Sequence, residues 1–143
     1  MELIFKILNA SIIPFWILLA FFVHTDLTKK LLFNYSIHLF LSIFYLVFII
    51  WGMVENAGGE GGMDTMEHLR IGFLNDKVLL AAWAHYLIFD LFVGTWIAKK
   101  CLEEGISNWI KIPSLFLTLL FGPIGFLLFN VLRKFPRKNN FES

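Results

Sequence analysis

Cysteine is almost missing from this sequence. Its 143 residues include one, Cys101, so no disulfide can form within the chain and the redox state of its compartment is left open. His24 and Asp26 make a bare H-x-D, and neither an H-x-x-x-H nor a cysteine cluster offers metal-ligand spacing. A phosphate-binding loop, a nucleophile elbow and a dinucleotide fingerprint are absent too. No motif therefore assigns a metal or a soluble cofactor, and we expect neither. Charge is also scarce: 16% of residues are charged and the formal net charge is +1. A basic stripe for nucleic acid is lacking, so none is expected as a partner.

Apolar residues are what the chain has. They make up 58% of it, with 17 Phe and 5 Trp. Soluble domains hold about 45–50% even with glycine counted. A soluble fold of this size could not hide so much apolar area. The composition predicts an all-α integral membrane protein, a four-helix bundle forming one transmembrane domain over 1–143. Four segments approach the roughly 20 residues a helix needs to cross a bilayer: 3–23, 31–53, 77–98 and 112–132. Residues 1–23 read as a retained first span, because the apolar run is too long for a signal-peptide core.

The central connection, "VENAGGEGGMDTMEHLRIGFLND", opens on flexible glycine-rich chain. Asp64 with Glu67 three residues on approaches a capping box. Met63, Met66, Leu69 and Phe73 then share one face, predicting a short amphipathic helix over 64–75 in the membrane interface. Four spans place both termini and this connection on one side, with seven basic residues against five on the other. The positive-inside rule then puts both termini in the cytoplasm, for a bacterial inner-membrane protein. The "RKFPRK" run after the last span, with Arg137 and Lys138, adds weight to that side.

The acidic residue near the centre of a predicted span is Asp90, in "HYLIFDLFVG". An Asp there costs about 2.5–3.5 kcal/mol on insertion scales, so it is expected to face the protein interior with a partner. Helical spacing puts Trp83, Tyr86, Asp90, Gly94 and Ile97 on one stripe, with His85 on a neighbouring face. In the fourth span, Pro123 of "GPIG" lacks an amide hydrogen and displaces the preceding turn, freeing carbonyls near Leu119. Gly122 and Gly125 allow close helix approach at similar depth to Asp90. Pro14 is expected to weaken the first span in the same way. Asp90 is read either as a functional group or as hydrogen-bonding glue between helices. His38 and His68 are read as packing or interfacial residues.

"WAHYLIFDLFVGTWI" (83–97) and "FGPIGFLLF" (121–129) resemble the abscisic-acid-deficient-four family of small four-span membrane proteins. "IPFWILLAFFVHTDLTKKLL" is similar to that family's first span, so the resemblance covers nearly the whole chain. Plant members are needed to form neoxanthin from violaxanthin. The resemblance thus implies carotenoid or related isoprenoid chemistry, by an isomerase-like protein or an essential helper of one. Opening an epoxide to an allene needs an acid at the oxygen and a base at a nearby carbon. A carboxyl group and a histidine are chemically suited to those roles. On that resemblance Asp90 is the acid and His85 the base or relay. Trp83 and Tyr86 lie against the polyene, and Gly94, Gly122 and Pro123 help to shape its site.

Two other readings stand beside this one. In the first, the chain is a non-catalytic binding or assembly subunit whose midplane polar groups fix packing, in a homo-oligomer or with a membrane partner. In the second it is a proton-coupled carrier, although no repeated pair of broken helices supports that.

Overall fold

The computed structural model describes residues 1–56 and 59–134; Arg137 and Lys138 lie outside them. Helices run in the order α1 (Glu2–Phe21), a single turn α2 (Asp26–Thr28) leading into a π turn (Lys29–Phe33), α3 (Ser36–Glu55), α4 (Met66–Gly72), α5 (Asp76–Glu104), α6 (Asn108–Phe121) and α7 (Pro123–Leu132). Strands are absent among the described residues, as an all-α chain requires. Three helical stretches are long and apolar enough to cross a membrane: Glu2–Phe21, Asp26–Glu55 and Asp76–Glu104. At 1.5 Å per residue the shortest of them is about 30 Å long, the thickness of a hydrocarbon core. Their outward faces are apolar, with Leu3, Ile7, Ile17, Phe40, Ile43 and Val47 all exposed. A helix meeting water would show the opposite pattern.

Helices α1, α3 and α5 overlie the first three apolar segments, with α3 starting five residues later, at Ser36, and α5 running six residues further, to Glu104. The fourth does not form as one helix. Residues 112–132 fall in α6 and α7, separated by Gly122 alone. Their 14 and 10 residues give lengths of about 21 and 15 Å, each too short to cross by itself. Gly122 holds φ +45 and ψ −90, a conformation that only glycine adopts without strain. Pro123 then sits at the first position of α7, where its missing amide hydrogen would have had no helical acceptor anyway. The glycine-proline pair therefore ends one helix and starts another instead of kinking a single helix. Pro14 produces no such break, since α1 runs through it.

Around α4 the cap is shifted by one residue from expectation. Thr65 takes the extended N-cap conformation, and its hydroxyl accepts the His68 amide at 3.1 Å. The Asp64 carboxylate pairs instead with the His68 ring Nδ1 at 2.8 Å.

Contacts divide the chain into two compact units, Met1–Ser11 with Leu39–Ile88, and Ile12–His38 with Phe89–Ser143. In the first, Leu8, Leu41, Phe48, Leu80, Ala84 and Leu87 are buried. Lys77 bridges to Glu55 at 2.6 Å, and the Trp51 indole donates to the same carboxylate at 2.8 Å. The second unit buries Ile12, Trp16, Leu19, Leu91, Ile97, Leu115 and Phe129. It also holds every buried polar or charged side chain among the described residues: Thr28, His38, Asp90, Thr95, Lys111, Ser114 and Thr118.

Within that second unit α7 folds back along α6. A side chain at Gly125 would collide with the amide and hydroxyl of Thr118 and with the Ser114 carbonyl. Ser114 and Gly125 would be about 16 Å apart in a continuous helix. Further contacts give the direction of α7. Its start at Gly122 meets Asp90, its middle places Phe126 and Phe129 within 5.4 and 5.6 Å of the Trp96 ring, and Arg133 lies over that ring at 5.5 Å. Going from residue 90 to residue 96 along α5 thus parallels going from 122 to 133 along the end of the hairpin. The hairpin turns at the depth of Asp90 and returns to the end from which it came.

Candidate functional site

Residues 90–95 of α5 are the hub of the second unit. Asp90 is 7% exposed, and its carboxyl oxygens crowd the place where a Gly122 side chain would begin. Only a glycine lets the turn come so near. One helical turn on, a Cβ at Gly94 would lie 2.6 Å from the Trp16 ring. The space that Gly94 leaves is therefore filled by the protein's own indole, not by an open ligand channel. A third side of the same helix faces α3, where His38 Nε2 and Thr95 Oγ1 are 3.3 Å apart. His38 also hydrogen-bonds with the Leu91 backbone.

Along α6, beside Asp90, hydroxyl groups turn back onto the helix's own carbonyls. Ser114 donates to the Ile110 carbonyl and Thr118 to the Ser114 carbonyl, both at 2.7 Å. The Gly122 amide donates to the Thr118 carbonyl at 2.8 Å. These bonds satisfy backbone and side-chain groups where water is scarce. Asp90 thus faces the Gly122 end of this helix.

Trp83, Tyr86 and His85 belong to the first unit. The Trp83 indole donates to Asn9 Oδ1 at 2.8 Å and stacks on Tyr86 at 5.3 Å. Phe5 packs 5.7 Å from the same indole. Trp83 also lines a cavity of about 600 Å³ with Phe5, Leu79 and Leu80, and with Glu2 and Asp76. Asp90 is not among its lining residues. His85 is exposed, with the Tyr45 ring 5.8 Å away. Of the seven residues picked from the sequence, the structure brings together Asp90, Gly122 and the adjoining Pro123. It brings Trp83 together with Tyr86.

The sequence reads His38 as a packing or interfacial residue, and the structure buries it to 5% exposure. Only the fold reveals that Thr95 and Leu91 wait for it on another helix.

These features define a class: small all-helical proteins with membrane-length apolar helices and a carboxylate buried at a helix break. The chain belongs to the ABA DEFICIENT 4-like family, whose model matches residues 3–129. It is 25% identical over 128 residues to Protein ABA DEFICIENT 4, chloroplastic, of Arabidopsis thaliana, a match covering 85% of this chain and 56% of the relative. The chain therefore spans little more than half the length of that curated relative. No solved structure matches it.

Proposed function

We propose that this protein works inside a membrane on a carotenoid or similar isoprenoid, as an isomerase-like enzyme or an essential helper of one. The observation that carries the reading is Asp90. It is a carboxyl group 7% exposed, held against a turn that only glycine can make. Residues kept so at a cost are more often functional than decorative in membrane proteins. Membership of the ABA DEFICIENT 4-like family supports the substrate class.

In this reading Asp90 gives its proton to an oxygen on the ligand as the carbon–oxygen bond breaks. A histidine takes a proton from a nearby carbon, the new double bond forms, and the proton returns to Asp90. No net atoms are gained or lost. His85 is the base that the family resemblance favours, but burial favours His38, which shares the second unit with Asp90. Within the first unit, the stacked Trp83 and Tyr86 offer an aromatic surface of the kind on which a rigid apolar polyene stacks.

The purified protein is mixed with a panel of epoxy-carotenoids, apocarotenoids and retinal, and the absorbance of each is followed. A protein-dependent shift that Asp90→Asn abolishes is expected. His38→Gln and His85→Gln, measured alongside, identify the base. Unshifted spectra across the whole panel would sink the proposal.

The competing reading is a non-catalytic assembly subunit, self-associated or partnered in the membrane, in which Asp90 only fixes packing. It is favoured by one outcome: Asp90→Asn lowers the unfolding midpoint while every spectral effect persists.

A further inference from the structure

Lys111 is the least expected residue in the second unit. It lies one turn inside α6 and is only 4% exposed. Among the described residues no carboxylate forms an ion pair with it, although six other ion pairs are present. A buried ammonium left alone is expensive, so such groups are paired or meet an anion.

The side chain is not enclosed by apolar atoms. With Val23, His24, Cys101, Ser107 and Asn108 it lines a pocket of about 300 Å³. Two helix ends form the walls. α5 ends at Gly105, in a left-handed conformation at φ +66, and the Ile106 amide closes the end by donating to the Cys101 carbonyl at 2.9 Å. Two residues later Ser107 caps α6, its carbonyl accepting the Ile110 and Lys111 amides. Ser107 already takes the Trp109 amide on its hydroxyl, so what the start of this 14-residue helix brings to the pocket is Asn108 and the positive end of its dipole. His24 adds a further hydrogen-bonding ring from the chain that follows α1.

Cation, helix start and polar linings thus converge on one pocket. We propose that this pocket binds a phosphate oxyanion, with Lys111 as its counter-charge and the Ser107–Asn108 start of α6 as its cradle. The shared chemistry is a phosphoryl group. Its source is a phospholipid headgroup or free inorganic phosphate. The site is separate from Asp90 and does not depend on the isoprenoid reading.

The test uses the full chain purified in a maltoside detergent, which carries no phosphate. Its unfolding midpoint is followed on adding inorganic phosphate, short-chain phosphatidic acid, or a phosphate-free anionic amphiphile. A rise of at least about 2 °C with phosphatidic acid is expected, greater than with the phosphate-free amphiphile. Lys111→Met should abolish the rise and Lys111→Arg should keep most of it. An equal rise with inorganic phosphate identifies the free ion as sufficient, and a rise with the lipid alone identifies the headgroup. Should Lys111→Met not fold, His24→Ala together with the Lys111→Arg protein keeps the comparison open, with a weakened rise expected for His24→Ala. No rise in the parent protein, or an undiminished rise in Lys111→Met, overturns the assignment.

Discussion

The carboxyl group of Asp90 occupies the place where a side chain on Gly122 would begin, at the one-residue turn where α6 gives way to α7. Gly122 cannot take a side chain while Asp90 holds this place. A side chain at 122 would meet the carboxylate and would also have to hold a positive φ.

Gly122→Ala should therefore destabilise the protein by at least about 1–2 kcal/mol from backbone strain alone, with the collision added. In an Asp90→Ala background the added part should disappear. Unfolding of the four proteins in one detergent gives the coupling, expected at about 0.5–3 kcal/mol. Equal losses in both backgrounds would show that the contact contributes nothing.

Gly94 makes a similar prediction against Trp16. Gly94→Ala drives a methyl group to 2.6 Å from the indole, and overpacking of this kind costs about 1–3 kcal/mol. Trp16→Leu should recover most of the loss, which melting curves of the single and double variants will read.

Much of this was legible beforehand, and the reasons differ by residue. Long apolar runs gave three helices because only a helix satisfies its backbone in lipid. Asp90 stood out because charge is rare there. The break at Gly122 was half visible: "GPIG" marked the depth, but a kink and a hairpin use the same four letters. Long-range pairing decides between them, through Gly125 against Thr118 and Ser114. The partners of His38 and the burial of Lys111 were hidden for the same reason. Their burial depends on helices distant in sequence.

The hairpin predicts a labelling pattern. Lys29 follows α2, and Lys134 follows α7. Both are exposed. Lys29→Cys and Lys134→Cys, each on a Cys101→Ser background, should react with a membrane-impermeant maleimide from the same side. Reaction from opposite sides would mean a continuous fourth helix.

The start of α4 should respond to acid. The hydrogen bond from His68 holds the Asp64 carboxyl below its ordinary range. A carboxyl group with a lowered folded value contributes stability above its unfolded pKa of about 3.9, and that stability goes as pH falls through the folded value. Amide exchange at Met66–Gly72 should therefore accelerate below about pH 4 relative to the intrinsic rate. Asp64→Asn should flatten that dependence, and an unaltered acid response in the variant would remove Asp64 as its cause.

A chain that enters the bilayer in α6 and leaves it in α7 on the same side has crossed an odd number of times. The count of charges then changes. Lys29, Lys30, Lys99, Lys100, Lys111, Arg133 and Lys134, seven of the twelve basic residues, gather at the end where the hairpin begins and finishes. The positive-inside rule predicts a cytoplasmic position for that end, with Met1, at the other end of α1, expected across the membrane from it. A reporter fused before Met1 and one placed after the hairpin would thus light up in different compartments.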